Sequence, residues 1–393
     1  MGLYQNGSLP HLWLKIMTHY KSSKLSILPQ QGAIVLVTVV LLLVMVTLVT
    51  LYTAKIQSFE HKIMLNSQNQ KLAFTAAEAG IMRGLAELQQ NKDWPAQAIN
   101  EVLAGQEHFS VNAGKQTIVR HSREMKLFEL SSVGISADGL ARSTIKQQVM
   151  VYPLLTQIPR AALLVAGGLN KQTSFELVAN PNGAGEGVAL TVWTSGNIDM
   201  ASINGFTCGL QEYQDGQCKT HSYSSSLRWY EDVLFNDPEF PSDVFAHLFN
   251  VSFQHNMAMR GDAEQVLSTC NVLSQQTSGV VWVDGECNIN VGLAIGSPSH
   301  PLLLLVNDGS LRLGQGSRIH GLIVMLKQVS TVASYDVFIP ASSAVYGAIV
   351  ANYELGSLAG SLRVIYDKDS LSTLVNSAEF LRVATVPGSW HDL

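Results

Sequence analysis

Residues 33–53 carry no charged side chain, and no proline interrupts the chain between Pro29 and Pro95. A helix over Ala33–Thr53 spans about 31 Å, enough to cross the hydrocarbon core of a bilayer. Nothing in the sequence obliges that helix to stop at the membrane surface. Phe74, Ala77, Ile81, Leu85 and Leu88 recur at three- and four-residue spacing, which predicts that the helix continues to about Gln90 with one apolar face. Asp93-Trp94-Pro95 is read as its end. The chain is therefore predicted to begin with a long helix, apolar in its first half and amphipathic in its second.

The flanks orient this segment. Lys15, Lys21 and Lys24 precede it, and the first acidic residue of the chain is Glu60. Positive flanks stay cytoplasmic, so the remainder is expected to face outward. A secretory signal has an apolar core of about 7–15 residues and a small-residue cleavage site. This core is longer, and Leu51-Tyr52-Thr53-Ala54-Lys55 makes a poor site. A plain signal anchor fits the length and charge equally well. It leaves unexplained the abrupt change of composition at Gly32, basic and polar before, apolar after.

Charged residues make up only 14% of the chain, and the net charge is −5. Neither favours nucleic acid, which calls for a basic patch. The four cysteines, Cys208, Cys218, Cys270 and Cys287, all fall on the expected outer side, where an even count reads as disulfides. Of three connectivities the pairing of neighbours, Cys208–Cys218 and Cys270–Cys287, is favoured. Zinc is the weaker alternative, because neither pair has the short spacing of a zinc site.

Gln31-Gly32-Ala33-Ile34-Val35-Leu36, the Val- and Leu-rich run after it, and Leu72-Ala73-Phe74-Thr75-Ala76-Ala77-Glu78-Ala79 resemble the N-terminal region of PilX-type minor pilins of the type IV pilus. The resemblance covers about 60 residues. It implies a leader, 1–32, removed by a membrane aspartyl peptidase between Gly32 and Ala33, often with methylation of the new amino terminus. A start at Met17 instead of Met1 gives a leader nearer the family's habit. It also implies partners: other minor pilins, the major pilin, the prepilin peptidase, the inner-membrane assembly platform and the inner membrane itself. Most major pilins carry phenylalanine first and glutamate fifth after the cut; here those places hold Ala33 and Val37. A carboxylate in the bilayer is costly without a partner. Val37 therefore hints at a tip or priming position, where no neighbouring amine lies above.

Within the helix, Gly80 and Gly84 are spaced to admit another backbone, with simple tolerance of glycine as the alternative. Glu78 lacks a charged partner three or four residues away and is expected either to meet a second surface or to be solvated. The expected segments are 33–92 for the transmembrane and amphipathic helix, 93–157 for a pilin-like antiparallel meander, and 158–393 for a β-rich domain. In the second, a short helix is predicted at Ala96–Ala104. Strands are predicted at His108–Val111, Gln116–His121, Lys126–Ser132 and Ala141–Tyr152, with turns at Asn112-Ala-Gly114 and Asp138-Gly139.

In the third segment, apolar runs starting at Gly279, Pro301, Gly321 and Gly347 lie about 20–26 residues apart. This spacing suggests a parallel β-solenoid, with a β-sandwich as the alternative. Residues 204–277 read as a loop-rich, disulfide-bearing insertion. It holds Trp229, Tyr230, Phe235, Phe240, Phe245 and Phe249, and a helix at Asp243–Asn250. The fold class is α+β.

No phosphate-binding loop, HExxH or GxSxG motif is present, and no catalytic, metal or cofactor residues are assigned. Gly314-Gln-Gly316 is read as a turn between coils, and His300, His320, Asp308 and Asp336 as scattered. The sequence thus favours a structural minor-pilin-like subunit of a pilus, concerned with assembly and surface attachment. A large tip pseudopilin of a type II secretion system, a membrane-anchored binding protein and an anchored glycan-active enzyme remain the alternatives.

Overall fold

The computed structural model describes residues 31–120, 123–169, 174–181, 183, 187–198, 204–220, 223–224, 231–328, 334–356 and 361–393. Residues 1–30 of the expected leader, with Met1, Lys15, Met17, Lys21 and Lys24, and the aromatics Trp229 and Tyr230, lie outside them. The fold is α+β: a long helix, an antiparallel sheet and a parallel stack of coils. Asn69–Leu393 is one compact unit.

Helix α1 runs from Gln31 to Asn91, 61 residues without a break. Lys92 takes a left-handed conformation and Pro95 follows, so the helix stops where its backbone donors run out. Four strands come next: β1 (Ile99–Val102), β2 (His108–Arg120), β3 (Arg123–Ile135) and β4 (Arg142–Pro153), paired antiparallel in that order. Two expectations fail here. Ala96–Ala104 holds strand β1, because pairing with β2 satisfies its backbone at the sheet edge. Asn112-Ala-Gly114 is no turn; β2 passes straight through it, with Asn112, Ala113 and Gly114 opposite Ser131, Leu130 and Glu129 of β3. The turn at Asp138-Gly139 is present, with Gly139 at φ 73°.

Strand β4 alternates buried and part-buried residues, so Ile145, Val149 and Val151 face the core. Against that face lie Ala77, Ile81 and Leu88 of α1, with Phe128 and Leu130 of β3. Small residues set the approach. Ala73, Ala76, Ala77 and Gly80 are buried in the first part of the contact. A Cβ on Gly134 of β3 would run into the Ala73 carbonyl oxygen and the Ala77 nitrogen. Helix backbone thus lies directly on sheet backbone at that point, a contact only glycine allows.

After β4 the chain enters the parallel stack at its middle. Strand β5 (Leu163–Val165) is followed by β6 (Ser174–Val178), then β7 (Val192–Thr194) and β8 (Asn204–Cys208). Strand β7 pairs with β5, and β8 with β6, in parallel. A small hairpin, β9 (Tyr213–Gln214) and β10 (Gln217–Cys218), precedes β11 (Val233–Leu234), which extends the sheet beyond β7. Helices α2 (Val244–Phe249) and α3 (Asn256–Gly261) follow, and the next strand, β12 (Gln265–Leu267), lies at the opposite end of the stack. Asp243 caps α2 by accepting the Ala246 N–H at 2.8 Å, and Asn250 closes it in a left-handed turn.

From β12 the coils climb back in order. They are β13 (Gly279–Asp284), β14 (Cys287–Ile289), β15 (Ala294–Ile295), β16 (Leu302–Asn307), β17 (Leu311–Leu313), β18 (Arg318–Leu326), β19 (Val337–Phe338), β20 (Ala344–Ala351) and β21 (Ser361–Ile365). All neighbours are parallel and in register. Val281, Leu304, Ile323, Ile349, Leu163, Val192 and Val233 form one continuous ladder. This is a parallel β-solenoid and not a sandwich. Strands β18 and β20 each turn a corner of the coil at Gly321 and Gly347, both at φ 143° and directly stacked. A Cβ at either would strike the carbonyl oxygen of the coil beneath.

The alternate ladder, Trp282, Leu305, Val324, Val350, Leu164 and Trp193, is also buried, so this face of the sheet is covered on both sides. Phe245, Leu248 and Phe249 of α2 belong to the same core, as do Leu371, Leu374 and Val375 of α4 (Lys368–Asn376). Phe240 is buried as well, and Phe235 is exposed.

Two boundaries differ from expectation. Residues 204–277 are no simple insertion, because β8, β11 and β12 are members of the solenoid sheet. Nor does 158–393 stand apart: β22 (Leu381–Thr385) and β23 (His391–Asp392) return to pair with β4. The chain leaves and rejoins the antiparallel sheet at adjacent points, where Leu154 N–H donates to the Phe380 carbonyl at 2.9 Å. The solenoid is thus spliced between two neighbouring strands of one sheet.

Replacing Gly134 by valine forces the helix off the sheet. The expected cost is about 3 kcal/mol or more, the upper end of overpacking penalties. Chemical denaturation of the full chain in detergent checks this; an unchanged midpoint would contradict the close contact.

Candidate functional site

The first half of α1 presents an apolar surface that no other described residue covers. Ile34, Leu36, Val37, Leu41, Leu48, Leu51, Ile63 and Leu65 are all exposed, and the most apolar stretch is 0% buried. Burying one such side chain contributes about 1.5–3 kcal/mol, so many together cannot rest in water. The threonine hydroxyls of this stretch are already satisfied. Thr38, Thr47 and Thr50 donate their hydroxyls to the carbonyls of Val35, Val44 and Thr47 at 2.8–2.9 Å, and Thr53 donates to Val49 and Thr50 at 3.0 Å. Backbone bonds are internal to the helix, so its peptide groups and these threonines bring no unmet donor into lipid; Tyr52, near the end of the span, is exposed.

The second half of α1 is built for protein. Its buried stripe rests on the antiparallel sheet, and its polar side is tied down at several points. Asn69 donates to Asp138 at 2.5 Å and Gln70 to the Arg142 carbonyl at 3.3 Å. Arg83 Nε reaches Glu101 of β1 at 2.7 Å while Nη1 holds Glu87 at 3.2 Å. Just past the helix end, Asp93 receives Lys126 at 2.9 Å and Lys115 at 3.1 Å, and the Trp94 N–H at 3.0 Å. Partial burial pushes the Asp93 carboxyl up, but the two ammonium groups and the Trp94 N–H outweigh it and hold it at about 2, below the ordinary 3.8.

With this division of the helix established, the comparison with known families is decisive for one stretch. The family described as PilX N-terminal matches residues 31–81. The match ends within the second half of α1. No curated protein matches the chain. Among solved structures, the competence-associated pilin ComZ from Thermus thermophilus aligns at 13% identity, covering 83% of this chain and 98% of that one. Its TM-score is 0.24, too low to carry an argument.

The matched stretch, residues 31–81, takes in the exposed apolar span and the start of the sheet contact. Gly32 and Ala33 fall in the first turn of α1, so the helix runs across the expected cleavage point. Val37 and Thr53 lie on the exposed span. Glu78 points outward on the side of the helix away from the sheet, exposed. Gly80 and Gly84 admit side chains and not a second backbone: Ser132 and the Phe109 ring crowd Gly80, while Leu130 and Trp94 lie over Gly84. The backbone approach belongs instead to Gly134, which sequence reasoning missed. An isolated glycine inside a strand-like run was the available signal.

Elsewhere the structure joins Cys208 to Cys218 and Cys270 to Cys287. His320 stacks on Tyr346 at 4.7 Å and approaches Asp367 at 3.6 Å; His300 bonds its neighbour Ser299. Asp308 accepts the Gln328 N–H at 2.8 Å. Among the described residues no group of three His, Cys, Asp or Glu side chains could hold a metal.

The Asp93 clamp sets a pH dependence. Its folded carboxyl sits below the unfolded one, so its contribution is complete above about pH 4 and fades as pH falls toward 2. The urea midpoint of the natural chain is expected to drop more between pH 5 and 2.5 than that of Asp93→Asn. Parallel curves would remove the clamp from the account.

Proposed function

We propose that this chain is a minor-pilin-like structural subunit that works by moving its apolar helix between two water-free surroundings, with no catalytic chemistry of its own. The observation that carries this reading is α1 itself: an uncovered, uncharged span continuous with a stretch docked on an antiparallel sheet, over residues that match the PilX N-terminal family. In the precursor the span crosses the inner membrane, with the basic flank in the cytoplasm and the sheet and solenoid outside. The prepilin peptidase cuts between Gly32 and Ala33 and frees the new amino terminus, which can then be methylated. The helix then leaves lipid for a bundle of like helices contributed by other minor pilins and the major pilin, drawn out by the assembly platform.

Val37 bears on position. A subunit with a carboxylate there needs an amine from a neighbour, and one with valine does not. That favours a place at the tip or in the priming complex, where the solenoid would be presented outward for surface attachment.

Mass spectrometry of the amino terminus of membrane-fraction protein tests this reading. A mature chain beginning at Ala33 is expected in cells with an active prepilin peptidase, and a longer one in cells lacking it. Mature protein that retains Lys24 despite an active peptidase would make the chain a plain anchor.

A further inference from the structure

The solenoid has a seam. Its coils come from two runs of chain, one leading outward from β5 through β7 to β11, the other returning from β12 to β21. The two meet where β20 pairs with β5 and β21 with β6. Across the seam the partners are far apart in sequence: Ile349 faces Leu163, and Arg363 faces Glu176. No covalent continuity of successive coils joins these strands, so the seam rests on backbone pairing and on side chains that cross it.

One ion pair crosses there. Glu176 is 5% exposed, and its Oε2 receives Arg363 Nε at 2.7 Å and Nη2 at 2.5 Å. Arg363 Nη1 donates to the Ala341 carbonyl at 2.7 Å. The second carboxylate oxygen, Oε1, accepts the backbone N–H of Cys218 at 2.5 Å. Cys218 belongs to the β9–β10 hairpin, tied to β8 by its bond to Cys208. Around this bond lies a small separate core: Val178 of β6, Ile365 of β21 and Ala344 of β20, with Tyr213 and Tyr346 packed against it. The hairpin therefore packs on strands from both sides of the seam. Cys218 is 7% exposed, while the other three cysteines are 0% exposed, so it is the most accessible of the four cysteines.

We propose that the Cys208–Cys218 hairpin is a redox-sensitive latch on this seam, acting through Glu176 and Arg363. A dithiol reductant opens it: one thiolate attacks the disulfide at Cys218, the S–S bond breaks, and the second thiol of the reductant closes its own disulfide. The reductant loses two electrons and two protons, and Cys208 and Cys218 become thiols. The freed hairpin withdraws the Cys218 N–H from Glu176. The carboxylate loses one of its three donors, the cover over Val178 and Ile365 lifts, and the stack parts between β6 and β21. This device is independent of the pilus reading and stands or falls on its own.

Hydrogen exchange of the full chain in detergent tests it, with dithiothreitol as the reductant. Oxidised protein is compared with Cys208→Ser/Cys218→Ser and with Glu176→Gln, which keeps the disulfide. Both variants are expected to exchange about tenfold faster in β6 and β21, with β16 and β18 unchanged, as loss of one charge-assisted bond at a local opening requires. Should the double variant fail to fold, treating folded oxidised protein with dithiothreitol supplies the same comparison. Unchanged exchange at the seam after reduction, or in Glu176→Gln, would overturn the latch. So would equal loss of protection along the whole solenoid, or the same seam loosening in Cys270→Ser/Cys287→Ser.

Discussion

Everything in this molecule is arranged around a surface that water cannot accept. The span from Ile34 to Thr53 is exposed and uncharged, with its threonine hydroxyls turned back onto their own helix. Such a surface demands either lipid or other apolar helices. The second half of the same helix meets the opposite requirement, since a stripe of small residues seats it against a folded sheet. One continuous helix therefore carries an exposed apolar stretch and, further along, a stretch packed on the antiparallel sheet, with its closest backbone approach at Gly134.

The body has an unusual order of assembly. A solenoid usually grows coil by coil along the chain. Here the chain enters at the middle, builds outward, crosses to the far end on α2 and α3, and builds back. Both connections to the antiparallel sheet consequently emerge side by side, at Leu154 and Phe380. This order lets a large β-module sit within a small sheet without disturbing its strand pairing. Its consequence is a seam closed by the Glu176–Arg363 pair and by a disulfide hairpin, where the chain itself supplies no continuity.

Local pattern made much of this legible. The helix, its buried stripe of Ala77, Ile81 and Leu88, the strands around Lys126–Ser132 and Ala141–Tyr152, and the apolar runs of the solenoid all follow from periodicity. What the sequence hid was nonlocal. Ala96–Ala104 reads as a helix until β2 offers its edge, and Asn112-Ala-Gly114 reads as a turn until β3 lies alongside. The pairing of β8, β11 and β12 with distant coils leaves no mark on the spacing of their own residues, so 204–277 looked like a loop. Asp93 was legible as a helix stop and not as a clamp, because Lys115 and Lys126 reach it from two different strands.

The central claim is that the two halves of one helix occupy different media. A nitroxide label at Leu42, compared with one at Met82, tests it in membranes containing the full chain. Power-saturation measurements are expected to show Leu42 colliding with dissolved oxygen and shielded from a water-soluble nickel chelate, with the reverse at Met82. A label at Leu42 that meets the nickel chelate freely would contradict the account.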